Sequence, residues 1–499
     1  MDTFRQLPLG QPIPDSPHAV LCSLPRLADV VGYEEGRPET VAAMRTGYPR
    51  FLTNPLVAQA QALATQELGF SQSEVRLVTT EALAAGLTRY IGAGAGPARV
   101  WRGAWAVEVV PDDTIRSRAK AYLQHLGAAI TSRQAEDILL SAGHLQGVHQ
   151  EPSFAGDAAG HVGANLAEAF GVAEASAPLL TGSGMGAFYA VFEAIRAVQR
   201  PRMRKLWLQL GWQYVDTTEV LRKFLGPDER CFYWNDVYDR AGLEAFFHRH
   251  GPDLAGVVAE FPNNPLLHTT DLPALYALCA RQGAVLVVDP TLASPRVVDV
   301  LPHCDVAVNS LTKFAGNQGD VMAGAAIFNP ASPFAGELRP VVAASLPAPY
   351  PRDLARLAAQ IDGYAPLVAR ATATAARLVD FLRGHPAVRE VYWTGAGRGR
   401  LNFAGLAREL GAVGSVFSFS LNGDLARFYD RVRIVKGPSF GTVFTLLCPF
   451  MYLAHYDLVS TPAGRAELAV LGLDPALVRV SIGAEPAGQI EAALTEALE

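Results

Sequence analysis

The chain has 499 residues, half of them hydrophobic and 18% charged, which excludes a disordered or fibrous protein and gives enough length for two or three packed units. A formal charge of −6 without a long Lys/Arg block excludes general attraction to nucleic acid or to an anionic membrane surface. Cys22, Cys231, Cys279, Cys304 and Cys448 are widely spaced with no CxxC pair, so neither a disulfide framework nor a metal site is signalled.

The N-terminal residues lack a basic start followed by an apolar run, and no stretch approaches the roughly 18 apolar residues of a membrane helix, so a cytoplasmic protein is expected. Residues from about 60 to 155 carry no chemical motif. Thr181-Gly-Ser-Gly-Met-Gly186 then precedes an apolar segment, residues 187–198, that reads as a helix. This junction offers backbone N–H groups to an anion. Next come a short apolar run at 256–260, helical spacing over 272–282 with Gly283 as its stop, and buried-strand runs at 284–288 and 305–309. The alternation predicts βαβ units feeding a parallel sheet, whose strand ends carry Glu260, Asp289 and Ser310. A Pro-rich run at 340–351 marks a domain boundary, and 353–383 reads as one long amphipathic helix opening a C-terminal domain.

Pyridoxal phosphate (PLP) requires an amine, an acid for the pyridine nitrogen, a phosphate cradle and a partner for a substrate carboxylate, and the middle of the chain offers groups of these kinds. Lysine is scarce, confined to Lys120, Lys205, Lys223, Lys313 and Lys436, which narrows the choice of Schiff-base residue. Asp289 closes a buried strand, and Lys313 follows the next one in Ser310-Leu-Thr-Lys313, with two hydroxyls beside it suited to phosphate. Taken singly, Asp289 also reads as a strand-end cap and Lys313 as a solvated surface residue.

Several linked motifs resemble the Cys/Met-metabolism family of PLP enzymes. They are Glu260-Phe-Pro-Asn-Asn-Pro-Leu-Leu267, Val287-Val-Asp-Pro-Thr-Leu-Ala-Ser-Pro295, Ser310-Leu-Thr-Lys-Phe314 and Gly319-Asp-Val-Met-Ala-Gly324. Pro17-His-Ala-Val20, Val31-Gly-Tyr-Glu-Glu-Gly36 and Gly47-Tyr-Pro-Arg-Phe51 are similar to the N-terminal region of the long fungal-type cystathionine γ-synthases. The resemblance implies an α/β, fold type I PLP-dependent transferase, aspartate aminotransferase-like, with a mostly parallel central sheet and a smaller α+β C-terminal domain. It divides the chain into an N-terminal arm serving the partner's active site (1–60), an additional segment of unknown role (61–155), a PLP-binding large domain (156–339) and a C-terminal domain for the substrate carboxylate (340–499).

Carried over residue by residue, it implies that Lys313 holds PLP as a Schiff base and then shuttles protons, and that Asp289 pairs with the pyridine nitrogen. Gly184 and Met185 would face the phosphate with Ser310 and Thr312, and Tyr214 would stack on the ring and assist proton transfer. Tyr48 and Arg50 would reach the neighbouring subunit's phosphate, making the protein a dimer or a dimer of dimers. Arg479 would bind the α-carboxylate with support from Ser439. Outside the motifs, Tyr48 and Tyr214 read equally as core aromatics and Arg479 as a strand-edge charge. Pro290, Gln318-Gly319 and Phe444 depart from the family pattern, and all are expected near the substrate end of the site.

The implied reaction is replacement at the γ-carbon of an amino acid bearing a γ leaving group, through a vinylglycine-like intermediate. A second reading is a specialised enzyme that takes S-adenosylmethionine as γ-leaving-group donor for carbon–carbon bond formation, including annulation onto NAD. A third is a non-catalytic binding protein on the same fold, against which the presence of Lys313, Asp289 and Arg479 argues.

Overall fold

The computed structural model describes residues 3–46, 52–70, 72–173 and 176–499. In the arm, β1 (Pro12–Ile13) pairs antiparallel with β2 (Leu21–Cys22). Next comes a small unit in which β3 (Glu74–Val78), β4 (Ala95–Trp101) and β5 (Ala104–Val109) form an antiparallel sheet in the order β3-β5-β4. Helices Pro55–Glu67, Glu81–Ile91, Asp113–Leu126 and Ser132–Ser141 surround it. One face packs on itself through Val57, Leu63, Leu77, Trp101 and Ile138. The other, through Val78, Leu87, Val107, Tyr122 and Leu126, shares a core with Phe188, Phe192 and Trp207 of the large domain.

The large domain is built on seven strands: β6 (Leu179–Thr181), β7 (Leu206–Leu210), β8 (Arg230–Trp234), β9 (Leu254–Glu260), β10 (Val285–Asp289), β11 (Val306–Ser310) and β12 (Gly324–Phe328). Their order is β6-β12-β11-β10-β9-β7-β8. The run from β11 to β8 is parallel, while β12 is antiparallel to both neighbours. The inner strands are continuous apolar runs because both faces are covered, and they are buried almost throughout. Gly256 is set by its neighbour: a Cβ there would come within 2.6 Å of the Trp207 ring on β7. Helix Leu272–Gln282 ends at Gly283, whose φ of +68° suits glycine.

The C-terminal region carries a five-stranded sheet, ordered β13 (Val388–Tyr392), β14 (Val416–Leu421), β17 (Val478–Ser481), β16 (Leu446–Pro449) and β15 (Val435–Lys436). The single helix expected over 353–383 is two, Pro351–Ile361 and Tyr364–Arg383. The break falls at Asp362-Gly363, and Pro366 explains it. With no N–H, proline forfeits a bond inside a helix but loses nothing in a first turn. The helix over residues 335–345 holds Pro340 within it, so the first proline of the 340–351 run is not a terminator.

A buried ion network fastens the small unit to the rest. Arg133, 1% exposed, donates two bonds to Glu151 (2.6 and 2.7 Å), one to Asp353 (2.8 Å) and one to the Asp320 carbonyl (3.0 Å). Beside it Arg352 pairs with Glu136 and Asp137, and Arg356 with Asp320.

Candidate active site

The C-terminal ends of β9, β10 and β11 open into one cavity of about 1090 Å³. Its far wall is the small unit, through Gln61, Arg76, Lys120 and Gln124. Lys313, three residues past β11, is 8% exposed, and its Nζ donates to Ser439 Oγ at 2.8 Å. Burial, aided by the charge of Arg479, pushes its ammonium from the ordinary 10.5 down to about 7, with Asp289 opposing.

Asp289 closes β10 and accepts the Thr291 N–H at 2.8 Å. Burial pushes its carboxyl up to about 6, against the hydrogen bonds of Thr291 and the charge of Lys313. Its register partner on β9 is Glu260, which accepts the N–H of Tyr214. Burial and the negative charge of Asp289 hold Glu260 well above the usual carboxylate range. Tyr214 lines the cavity at the position just before helix Val215–Lys223.

Opposite, Ser183 caps helix Gly184–Gln199, its Oγ accepting from Gly186 N–H at 3.0 Å. The N–H groups of Gly184 and Met185 lie in the first turn, ahead of the helical ladder, and both residues line the cavity. A Cβ on Gly184 would lie 2.8 Å from Ser310 Cβ, so only glycine lets this turn approach the end of β11. Ser310 donates its N–H to Thr291 Oγ1 at 2.9 Å. The Thr312 hydroxyl is engaged with the backbone of Ala323, giving one bond at 3.3 Å and taking one at 3.2 Å.

Arg479, central in β17 and 6% exposed, donates through Nη2 to the Ser439 carbonyl at 2.8 Å and through Nη1 to Asn264 Oδ1 at 3.5 Å. Ser439 therefore touches both the lysine and the arginine, on a backbone with φ +111°, a conformation rare outside glycine.

The structure thus brings Lys313, Asp289, Gly184, Met185, Ser310, Thr312, Tyr214, Arg479 and Ser439 around one cavity. Tyr48 and Arg50 lie outside the described residues. Of the departures from the family pattern, Pro290 stands between Asp289 and Thr291, which line the cavity, and Gly319 accepts the N–H of the cavity-lining Val20, while Pro290, Gln318, Gly319 and Phe444 do not themselves line it. Phe444 fills a separate apolar cluster with Leu7, Ile13 and Leu21 of the arm, and the Gln318 N–H donates to Gln360 at 3.2 Å. Sequence reasoning noted Glu260 only as a strand end and missed Asn264, although both stand in the quoted Glu-Phe-Pro-Asn-Asn-Pro motif. The segment from about 60 to 155, readable from sequence either as shaping the site's entrance or as supporting a dimer, lines the cavity through Gln61, Arg76, Lys120 and Gln124, which no motif marked individually.

These groups fit PLP: a buried amine for its aldehyde, a carboxylate at a strand end for its ring nitrogen, and a helix start opened by Gly184 for its phosphate. The sequence profile of the family described as Cys/Met metabolism PLP-dependent enzyme matches residues 164–499. Among curated proteins, the chain is 39% identical over 476 residues to an L-2-amino-4-chloropent-4-enoate dechlorinase/desaturase from Streptantibioticus cattleyicolor, covering 95% of each chain. It is 27% identical to a cystathionine gamma-synthase from Neurospora crassa, covering 98% of each. A methionine gamma lyase from Micromonospora echinospora superimposes with a TM-score of 0.55 at 25% identity, covering 65% of this chain and 82% of that one. For the fold alone, a cystathionine gamma synthase from Xanthomonas oryzae gives a TM-score of 0.58 at 23% identity, covering 70% and 92%. The chain belongs to the Cys/Met-metabolism family of PLP-dependent enzymes.

Proposed function

We propose that the protein eliminates a γ-substituent, with chloride as the leading candidate, from a short free α-amino acid, leaving a more unsaturated side chain. The observation that carries this reading is the 39% identity, across nearly the whole chain and including the small unit, to an enzyme named for dechlorination and desaturation of an amino acid whose chlorine sits on C4, the γ-carbon.

Bound PLP supplies an electron sink for charge released at the α-carbon. Arg479 holds the α-carboxylate through charge-assisted hydrogen bonds, fixing which bonds at the α-carbon face Lys313. An ammonium shifted to about 7 leaves a large fraction of Lys313 as free amine at neutral pH, the form that takes a proton from Cα and then one from Cβ. The Ser439 hydroxyl 2.8 Å from Nζ sets where that amine rests between transfers. Asp289 stays ionised opposite a protonated ring nitrogen, because an adjacent positive charge offsets the burial that otherwise raises its pKa. Tyr214, fixed at its N–H by Glu260, bounds the same space. Lys313 hands the proton taken from Cα back to the product, so that the net change is loss of one β-proton and of the γ-substituent as an anion, which balances the reaction.

A second reading, γ-replacement of the cystathionine γ-synthase type, is favoured by the extent of the cavity, which continues to the small unit and leaves room for a nucleophile. The experiment incubates PLP-loaded protein with L-2-amino-4-chloropent-4-enoate and, separately, with O-acetyl- or O-succinylhomoserine plus cysteine. Free chloride and product masses are then followed. Chloride release with a product lighter by HCl supports elimination. A thioether from the homoserine esters with no chloride release overturns it in favour of replacement.

A further inference from the structure

Arg479 is a nearly buried cation whose charge reaches the Glu260 carboxyl, but its hydrogen bonds go to neutral oxygens, the Ser439 carbonyl and Asn264 Oδ1, and leave donors over. Two aromatic rings flank it. Its Cζ lies over the ring of Phe440 at 5.4 Å and over that of Phe450 at 4.9 Å, and both residues line the cavity. The rings come from separate segments. Phe440 follows Ser439 in the loop after β15, while Phe450 follows β16, which pairs with β17 beside Arg479.

Both rings are anchored. Phe440 packs edge-on against Phe314, the residue after Lys313, at 6.1 Å, and Lys313 Nζ lies over its face at 5.0 Å. Phe450 donates its N–H to the Leu477 carbonyl at 3.0 Å and contacts His455, which packs edge-on against Trp212 at 4.9 Å. A column of rings thus runs from Phe314 to Trp212 with the guanidinium within it.

The chemistry of this arrangement differs from that of an ion pair. A carboxylate partner would offset the burial of the cation but occupy its N–H donors, whereas a π face stabilises the charge and leaves the in-plane donors to a ligand. A free carboxylate matches those donors in charge and in fork geometry, and an amide or ester does not.

We propose that Phe440 and Phe450 form an aromatic clamp that presents the edge of Arg479 to an unmodified α-carboxylate. The clamp confines the enzyme to free α-amino acids and excludes amides, esters and carrier-tethered substrates. This rests on the reading that Arg479 takes the substrate carboxylate.

The test uses PLP-loaded protein and unreactive probes, L-norvaline and L-norvalinamide, with binding read from the visible absorbance of the cofactor. Wild-type protein is expected to prefer norvaline. Phe440→Leu and Phe450→Leu each weaken norvaline binding about tenfold and leave the amide unaffected, while Phe440→Tyr and Phe450→Tyr, which keep the π face, bind within about threefold of wild type. Methionine replaces leucine wherever a leucine variant does not load cofactor. Arg479→Ala separates the two claims. Unchanged norvaline binding in that variant removes the carboxylate reading itself. Weakened binding there, with leucine or methionine variants that bind like wild type, overturns the clamp alone.

Discussion

Lys313 is held in the folded protein at a stability cost that depends on pH. Its ammonium falls from 10.5 to about 7, so below the lower value the charged form pays the full shift, about 5 kcal/mol at 1.36 kcal/mol per unit. Between the two values the unfolded chain binds a proton that the folded protein does not, so stability rises with pH across this window. Replacing the lysine by methionine, unbranched and of similar size, removes the charge with little change of volume. In cofactor-free protein, Lys313→Met is therefore expected to be more stable than wild type at pH 6.5, and that advantage shrinks by about 3 kcal/mol at pH 9.5. Asp289, relieved of the lysine's charge in the variant, titrates in the direction that adds to the shrinkage. Lost contacts such as the bond to Ser439 do not cancel the result, because they contribute alike at both pH values. The assay is urea unfolding of both cofactor-free proteins at the two pH values. An advantage of the same size at both would refute the reasoning, since it would mean that the lysine is not buried as a strained cation.

Asp289→Asn keeps the shape but not the charge, so kcat/KM is expected to fall by about 100- to 1000-fold while the unfolding midpoint of cofactor-free protein holds or rises. Gly184→Ala places a Cβ 2.8 Å from Ser310 Cβ, so purified protein should retain less PLP, measured by alkali release and absorbance. Arg133→Met leaves Glu151 and Asp353 without their shared cation and is expected to lower stability by about 3–5 kcal/mol in urea unfolding, since an uncompensated buried charge costs more than the pair gave.

The parallel strands were legible because strands buried on both faces must be continuous apolar runs, and β9, β10 and β11 each fall within two residues of the expected bounds. The polar residues at their ends followed, because chemistry in such sheets gathers at strand C-termini. Helix Gly184–Gln199 starts three residues earlier than its apolar pattern suggests, since capping by Ser183 rather than hydrophobic spacing sets its start. The small unit was not legible. Its strand Ala95–Trp101 buries only its last residue and has no clean alternation, and much of its core is borrowed from the large domain. Nor could local spacing pair Phe440 and Phe450 around Arg479, as the two rings follow different strands and the arginine lies 29 residues beyond the second. Phe444 packs with β1 and β2 of the arm in a cluster that includes Val20, a contact its place in the chain does not reveal.

The shared core between the small unit and helix Gly184–Gln199 makes that unit indispensable to solubility, whatever its part in recognition. A chain trimmed to begin at residue 164, where the family match starts, would lay bare the flank of Phe188, Phe192 and Trp207 that Leu87, Tyr122 and Leu126 now cover. Contiguous apolar surface of that kind drives self-association. Shortening this enzyme toward the size of its relatives of known structure would therefore produce an aggregate rather than a minimal catalyst.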